Sequence, residues 1–577
     1  MSFTNEQLAR AFAEIASLLK LDGQDAFRVR AYERAAGAIG AAQVDLGQLD
    51  DAQLAGLKGV GTSSAKKIRE YLDTGTIAML EELRGAVPPG MVELTRVPGL
   101  GPKTARQLHG LGIDTVEALR EAIDDGRLEG VPGLGAKTAA NLREAIVRMG
   151  AKDVDRVPAA DAVAVAEELC AGLRGVPGVH SVSYAGSLRR MRETVGDIDV
   201  LVAADDPRPV MEAFRSSPVV ESVLAAGDKK SSVLTVRGLQ ADLRVVAPPA
   251  WGAALVYFTG SKAHNVRIRE RAVRNGLLLN EYGLYRVDGG EEQQRLASAT
   301  EAEVYAALGL QEIPPPLRED TGEVEAAAAG TLPTVVQLAD LRGDLHGHSD
   351  WSGDGKASLE EMVAAAAARG YAYWAVTDHA ERLSMNGISR GQMLERRRAI
   401  ADLQARYDMR ILDGVELNID GDGGLDYDRE FLLQFDFCVA SIHTLLQRTP
   451  QEQTQRLVRA MEHPAVHAIG HPTGRLIGRR PGYGIDLDAV VQAAARTGTA
   501  LEVNASPRRL DLSGEMVRRA VSAGATLTIS CDAHSVGDLG SMGYGVATAQ
   551  RGWATPADVL NCRDLDGLLA FTKAKRG

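Results

Sequence analysis

Apolar residues recur at helical spacing from the start of the chain. Leu8, Phe12, Ile15, Leu18 and Leu19 set the pattern, which predicts helices through residues 1–85. Past residue 156 the rhythm shortens. Asp197 and Asp199 sit two apart in the apolar run Asp197-Ile198-Asp199-Val200-Leu201-Val202. That run reads as a strand with both carboxylates on one face. A second β-like run, 239–246, carries Asp242. From Arg342 onward, seven apolar segments alternate with helical stretches. They finish at His346 and His348, Asp378-His379, Glu416, His443, His471, Glu502 to Asn504, and Asp532 to His534. Strand–helix units with polar groups at the strand C-termini predict a closed parallel barrel with one active face. Between the two patterns, residues 312–340 hold Pro314-Pro315-Pro316, acidic residues and an alanine run, and are expected to form a linker.

Carboxylates at the edge of a buried layer are costly unless they bind cations. Asp197, Asp199 and Asp242 together make a site for two divalent ions about 4 Å apart, the clamp used for displacement at phosphorus. Upstream, Gly186 and Ser187 offer backbone amides and a hydroxyl to a triphosphate, and Arg190 offers charge. Three further turns repeat one pattern: Gly59-Val60-Gly61, Gly99-Leu100-Gly101 and Gly133-Leu134-Gly135. Each precedes a helix whose first amides can dock a DNA phosphate. No strand precedes them, which excludes a dinucleotide fingerprint. Lys230, with Lys229, is expected near the primer or its phosphates. In the barrel half, six of the eleven histidines fall at strand ends. A convergent set of this kind is a metal site.

The pattern Gly186-Ser187-x-Arg189-Arg190, Gly196-Asp197-x-Asp199 and a distant Asp242 resembles the nucleotidyltransferase core of the DNA polymerase X family, of which polymerase beta is the best-known member. Tyr257-Phe258-Thr259-Gly260-Ser261 resembles that family's thumb. The resemblance implies that Tyr257, Phe258 and Gly260 shape a sugar pocket excluding a 2′-hydroxyl. Asn265 would meet the base edge and Arg269 the template strand. Lys262 stands where polymerase beta has an aspartate, and with Ser261 would contact the nucleotide. The first 90 residues resemble a lyase domain. Lys67 aligns with its Schiff-base lysine, whereas Ser63 replaces its phosphate-binding lysine. Lys67 reads equally as a DNA contact. The barrel half resembles the polymerase and histidinol phosphatase (PHP) superfamily. That implies metal ligands at His346, His348, Asp354, His379, Glu416, His443, His471, Asp532 and His534. Gly353 is inserted before Asp354, so Asp350 is the alternative ligand. Glu502 and Asn504 read either as outer supports or as structural residues. Mixed imidazole and carboxylate donors suit up to three Mn²⁺, Zn²⁺ or Fe²⁺ ions; the palm would take Mg²⁺ or Mn²⁺.

At 577 residues, several domains are required. The expected order is a lyase-like helical domain (1–90), a helix-hairpin-helix domain (91–155), an α+β palm (156–246), a thumb (247–311), the linker, and a distorted (β/α)7 barrel (341–577). A net charge of −12 argues against DNA binding by bulk charge and leaves local basic grooves to do it. Four scattered cysteines form no disulfide framework or zinc ribbon, and no apolar run reaches membrane length, so a cytoplasmic location is expected; the sequence leaves oligomeric state open, with a monomer the expectation. The implied activity is gap-filling, DNA-directed synthesis from deoxynucleoside triphosphates on gapped or primer-template DNA. It would be joined to a 3′-5′ exonuclease or phosphoesterase, with AP-endonuclease or end-cleaning activity in its range. The alternatives are a nucleotidyltransferase on RNA or small molecules fused to a phosphatase, and a DNA-binding scaffold.

Overall fold

A computed structural model describes residues 3–576, except 41–45, 58, 96, 98–99, 129–130, 132–133, 136–137, 140–141, 144–155 and 288–293. The chain divides into two compact units, residues 1–154 and 155–577.

The first unit is helical, as its periodicity predicts. Leu8, Phe12, Ile15, Leu18 and Leu19 line the inner face of α1 (Phe3–Asp22) and are all buried. The repeated turns share one geometry. The amides of Val60, Leu100 and Leu134 each donate to the carbonyl three residues back, at 2.9, 3.0 and 3.0 Å. The carbonyls of Gly61, Gly101 and Gly135 then accept from the amide four residues on, at 2.9, 2.9 and 3.0 Å. Gly61 and Gly101 are N-caps of α2 (Thr62–Thr74) and α3 (Pro102–His109). Gly59 adopts φ 98°, a conformation open to glycine. The expectations for Gly99 and Gly133 lie outside the described residues.

Near its start, after a helix over Ala159–Arg174, the second unit forms a five-stranded sheet: β1 (Val179–Tyr184), β2 (Asp197–Ala204), β3 (Val220–Ala226), β4 (Lys230–Thr235) and β5 (Gln240–Val246). Its order is β1-β2-β5-β4-β3, with β2 and β5 parallel and the remaining pairs antiparallel. The short helix α4 (Gly186–Arg189) follows β1. Next come α5 (Trp251–Thr259), α6 (Lys262–Arg274) and a small sheet of β6 (Leu277–Asn280), β7 (Gly283–Arg286) and β8 (Arg295–Ala297).

Residues 312–340, expected as a linker, are folded. Ile313, Leu317, Val324, Ala327 and Val335 are buried in one core with Val256, Ile268, Tyr305 and Trp553. Arg318 is fully buried and donates to Glu301 Oε1 at 2.6 Å. Helix α7 (Glu323–Ala329) carries Glu323, which is hydrogen-bonded to buried His264. The proline triplet and alanine run hid apolar residues spaced widely enough to pack as a strap.

The barrel follows as predicted. Seven parallel strands pair in chain order: β9 (Gly343–Asp344), β10 (Tyr373–Val376), β11 (Arg410–Asn418), β12 (Phe437–Ser441), β13 (Ala468–Ile469), β14 (Ala500–Asn504) and β15 (Leu527–Ser530). A bridge between Gly347 and Ala533 brings the last strand's loop to the first. Leu345, Tyr373, Ala375, Leu412, Phe437 and Val439 fill the interior. Helix α8 (Met542–Arg551) packs on β14 and β15. Among the described residues, no helix is long and apolar enough to cross a membrane.

Candidate functional site

Two clusters of charged groups stand in the second unit. In the palm, Asp199 on β2 lies directly opposite Asp242 on β5, and Asp197 opposite Gln240. Side chains two apart on a strand share a face, so parallel pairing brings the three carboxylates together. Burial and the neighbouring charges of Asp197 and Asp242 push Asp199 up to about 7. That is the signature of a cluster built to be neutralised by cations. Lys230, expected near the primer or its phosphates, stands 3.1 Å from Asp242 Oδ2, and Gln240 donates to Asp242 Oδ1 at 2.8 Å. Gly186 sits at φ 60° against the cluster; a Cβ there would lie 2.2 Å from Asp199 Oδ2. Only glycine lets the turn come this close.

Arg189 and Arg190 both meet protein carboxylates. Arg189 makes a two-pronged contact with Glu301 at 2.8 and 2.6 Å, and Arg190 donates to Glu319 at 3.0 Å and to the Thr259 carbonyl at 2.5 Å. Tyr257 and Phe258 end α5, their rings edge to face with centroids 5.0 Å apart. Gly260 adopts φ 69° and ψ −151°, and Ser261 caps α6, accepting from the His264 amide. Lys262 and Arg269 are exposed on α6, and Asn265 donates to the Tyr257 carbonyl at 2.7 Å. In the first unit Lys67 is half-buried on α2 beside buried Ile68.

In the barrel, all nine expected ligands converge. Glu416 is fully buried and central: Oε1 lies 3.2 Å from His443 Nε2 and 3.1 Å from His471 Nε2. Oε2 lies 2.7 Å from His379 Nδ1, 3.5 Å from His346 Nε2 and 3.6 Å from His348 Nε2. Asp532 Oδ1 is 3.2 Å from His348 Nε2. Asp354 Oδ2 faces His379 Nε2 at 3.3 Å and His534 Nε2 at 3.5 Å. Asp350, the alternative, is exposed and accepts from the Leu359 amide. Three overlapping groups have ligand atoms within 4.8 Å of one another: His348, His379 and His534; His346, His348 and Glu416; His379, Glu416 and His443.

His471 Nε2 and Glu416 Oε1 form a hydrogen bond, but many of the other atoms crowd together without hydrogen-bond alignment. His346 Nε2, both nitrogens of His348, His379 Nδ1, Asp354 Oδ1 and Glu416 Oε2 are buried and make no hydrogen bond. Buried polar groups left in this state mark a bound ion or a catalytic role, and the donor set fits divalent transition metals. Burial pushes Glu416 upward, but His443, His346 and His379 outweigh it and hold the carboxylate well below its usual range. Burial, His534 and His379 depress His348 to about 3, which leaves it a neutral donor. Asp532 and His471 adopt φ 52° and 27°, strain of the kind stored at functional sites.

The sequence left Glu502 and Asn504 open; both support the cluster. Glu502 accepts from His346 Nδ1 at 2.7 Å and from the His471 amide at 2.6 Å, and Asn504 donates to Asp532 Oδ2 at 3.0 Å. Three residues were missed. Asn418 holds His443 Nδ1 at 2.7 Å, Asn386 donates to Asp354 Oδ2 at 2.7 Å, and Arg509 stands 3.5 Å from Asp532 Oδ2. Asn418 was findable, two residues past Glu416 on the same strand face. A cavity of about 350 Å³ opens over the cluster, with Arg480 and Arg509 in its wall.

Residues 3–77 match the family described as helix-hairpin-helix domain, and 91–148 the SAM-like helix-hairpin-helix tandem. Residues 254–319 match DNA polymerase beta thumb, and 344–506 match PHP domain. A Bacillus subtilis (strain 168) protein named DNA polymerase/3′-5′ exonuclease PolX is 38% identical over 573 residues, 98% of this chain and 99% of that one. A Syntrophotalea carbinolica probable phosphatase is 30% identical over 237 residues, 40% of this chain and 94% of its own. DNA polymerase lambda of Rattus norvegicus is 26% identical over 314 residues, 50% of this chain and 51% of its own. End-to-end similarity of this kind, over helix-hairpin-helix, thumb and PHP segments in one order, means that the chain belongs to the bacterial DNA polymerase X family, with a polymerase beta-like core and a C-terminal PHP domain.

Proposed function

We propose that the chain extends DNA primers across short gaps in its palm and trims DNA 3′ ends in its barrel. The observation that carries the reading is the register of Asp199 against Asp242, with Asp197 on the same face, in a chain whose barrel gathers nine metal-type donors. Asp197, Asp199 and Asp242 would hold two Mg²⁺ or Mn²⁺ ions, and the barrel donors up to three Mn²⁺, Zn²⁺ or Fe²⁺ ions. Such ions supply charge neutralisation and Lewis acidity at phosphorus, and a nucleophile at neutral pH.

The chain's own residues do the rest. The amides after Gly186 and the Ser187 hydroxyl receive the triphosphate, with Arg190 and Lys262 adding charge. Tyr257, Phe258 and Gly260 wall the sugar and select deoxynucleotides. Asn265 meets the base edge, and Arg269 the template. The helix-hairpin-helix turns hold the duplex by its phosphates. In the barrel, Glu502 and Asn418 fix the tautomers of His346 and His443, so that each turns Nε2 inward. Arg480 and Arg509 are placed to bind phosphate oxygens at the cavity wall.

The test is a gapped duplex incubated with deoxynucleotides and Mg²⁺ or Mn²⁺, with product ends mapped. Templated extension, and 3′ shortening once nucleotides are withdrawn, are expected. Untemplated transfer to RNA or small acceptors with no action on the gap would refute the reading.

A further inference from the structure

The palm and the barrel, both within the second unit, are joined by a run of arginines. Palm residues 190–193 connect the Gly186–Arg189 turn to β2. Their backbone folds back on that turn: the Arg192 amide donates to the Ser187 carbonyl at 3.0 Å, and Met191 is held at φ 51°. Barrel residues grip this loop at both ends. Arg551 Nη1, in the last turn of α8, donates to the Arg190 carbonyl and to Glu319 Oε1, each at 3.0 Å. Arg475 takes Glu193 with both terminal nitrogens, at 3.0 and 2.8 Å. The arginine is 16% exposed and the glutamate 30%, so this fork is partly desolvated.

Arg475 reaches further. Its Nε donates to the Arg509 carbonyl at 2.8 Å, and Nη2 also donates to the Leu510 carbonyl. Leu510 adopts φ 44°, and the next carbonyl, of Asp511, accepts from the Asn504 amide at 2.7 Å. The Arg509 side chain then stands 3.5 Å from Asp532 Oδ2 and lines the cavity. Every step from Ser187 to Asp532 is a direct contact or one peptide unit.

We propose that Glu193, a palm residue, is a positioning residue for the barrel's reaction. It fixes Arg475, which fixes the 509–511 loop so that the Arg509 guanidinium meets a non-bridging oxygen of a phosphodiester. The inference rests on the phosphoesterase reading of the barrel. A rigid Arg509 is complementary to the phosphate only in one orientation, and two backbone carbonyls held by one arginine set that orientation. The loop that borders the nucleotide turn thereby also sets the geometry at the scissile phosphate.

The test uses full-length enzyme with Mn²⁺ and a small chromogenic diester, bis(p-nitrophenyl) phosphate, which needs no DNA contact with the palm. Kinetics are taken for wild type, Glu193→Ala, Arg509→Ala and the double variant, with melting temperatures alongside. Glu193→Ala should lower kcat/KM roughly 3- to 30-fold, the range of residues acting through an intermediary. Because Glu193 and Arg509 do not touch, the decisive result is non-additivity: the double variant should be no worse than Arg509→Ala alone. Unchanged kinetics in Glu193→Ala, or losses that add, would overturn the proposal. If Glu193→Ala melts early, Glu193→Gln, which keeps the shape and removes the charge, carries the same expectation. A wild type without metal-dependent hydrolysis would instead sink the phosphoesterase reading, and this inference with it.

Discussion

Glu502 gives the sharpest test of how the barrel holds its ligands. Its carboxylate is buried, with one oxygen on His346 Nδ1 at 2.7 Å and the other on the His471 amide at 2.6 Å. Glu502→Gln keeps the volume and one acceptor but removes the charge that orients and polarises His346. A hydrogen bond to a charged group contributes about 1.5–3 kcal/mol. Since His346 is oriented by this bond alone at Nδ1, most of that should appear in metal binding. A loss of roughly 10- to 100-fold in affinity follows, as for other carboxylates that support a metal-bound histidine. The assay is diester hydrolysis against Mn²⁺ concentration, with bound metal measured after gel filtration. The half-saturating Mn²⁺ should rise by that factor, while primer extension at saturating Mg²⁺ stays near wild type. An unchanged Mn²⁺ requirement with a folded variant would refute the argument that Glu502 acts through His346.

Gly186→Ala places a methyl 2.2 Å from Asp199 Oδ2 at a backbone φ of 60°, so primer extension should drop at least about 100-fold, as for loss of one electrostatic group; near-normal extension would show that the turn does not border the reacting groups. If Lys67 is a Schiff-base lysine, borohydride should trap the wild type on a 5′-deoxyribose-phosphate end and Lys67→Ala should abolish the trap; no trapping by wild type leaves Lys67 as a DNA contact. Burial holds His264 below its ordinary 6.5 despite the Glu323 bond, so below pH 6.5 the unfolded chain binds more protons than the folded one and stability falls as pH drops. The melting temperature should therefore decline from about pH 7 to about pH 5.5, and less steeply in His264→Asn; equal slopes would count against a neutral, buried His264.

Much of this was legible in the sequence, and the reason is local. Asp197 and Asp199 announce their shared face through a period of two, and the barrel's candidate ligands sit at the ends of apolar segments. What the sequence could not give was pairing between distant positions. That Lys230 faces Asp242 depends on β4 running antiparallel to β5 in one particular register. That Arg189 and Arg190 serve Glu301 and Glu319 depends on the thumb folding back on the palm. A Gly-Ser-x-Arg-Arg motif reads as phosphate-binding on residue type alone, and nothing in it names Glu301 and Glu319 as the acids that orient the two guanidinium groups. Asp354 is the opposite case. The inserted Gly353 made its register doubtful, and the loop absorbs the extra residue through the Gly353 amide bonding to the Asn386 carbonyl.

The largest difference concerns independence of the two chemistries. Composition around residues 312–340 argues for two units on a tether, and a cut at 341 would then free an intact barrel. The packing argues otherwise. Trp553, after α8, shares a core with Leu317 and Val335, and the Val336 amide donates to the Ala554 carbonyl at 2.9 Å. Arg475 and Arg551, only 16% and 13% exposed, draw their carboxylate partners Glu193 and Glu319 from outside 341–577. A cut at 341 takes these carboxylates away together with the surface that covers the arginines, so both guanidinium groups pass to water and lose the charge-assisted contacts that hold them in place. The tryptophan would also lose its apolar cover. The barrel chemistry is therefore built on a scaffold that the strap and palm complete, and a polymerase-deficient but full-length chain, not a truncation, is the form in which the 3′-end reaction is to be measured alone.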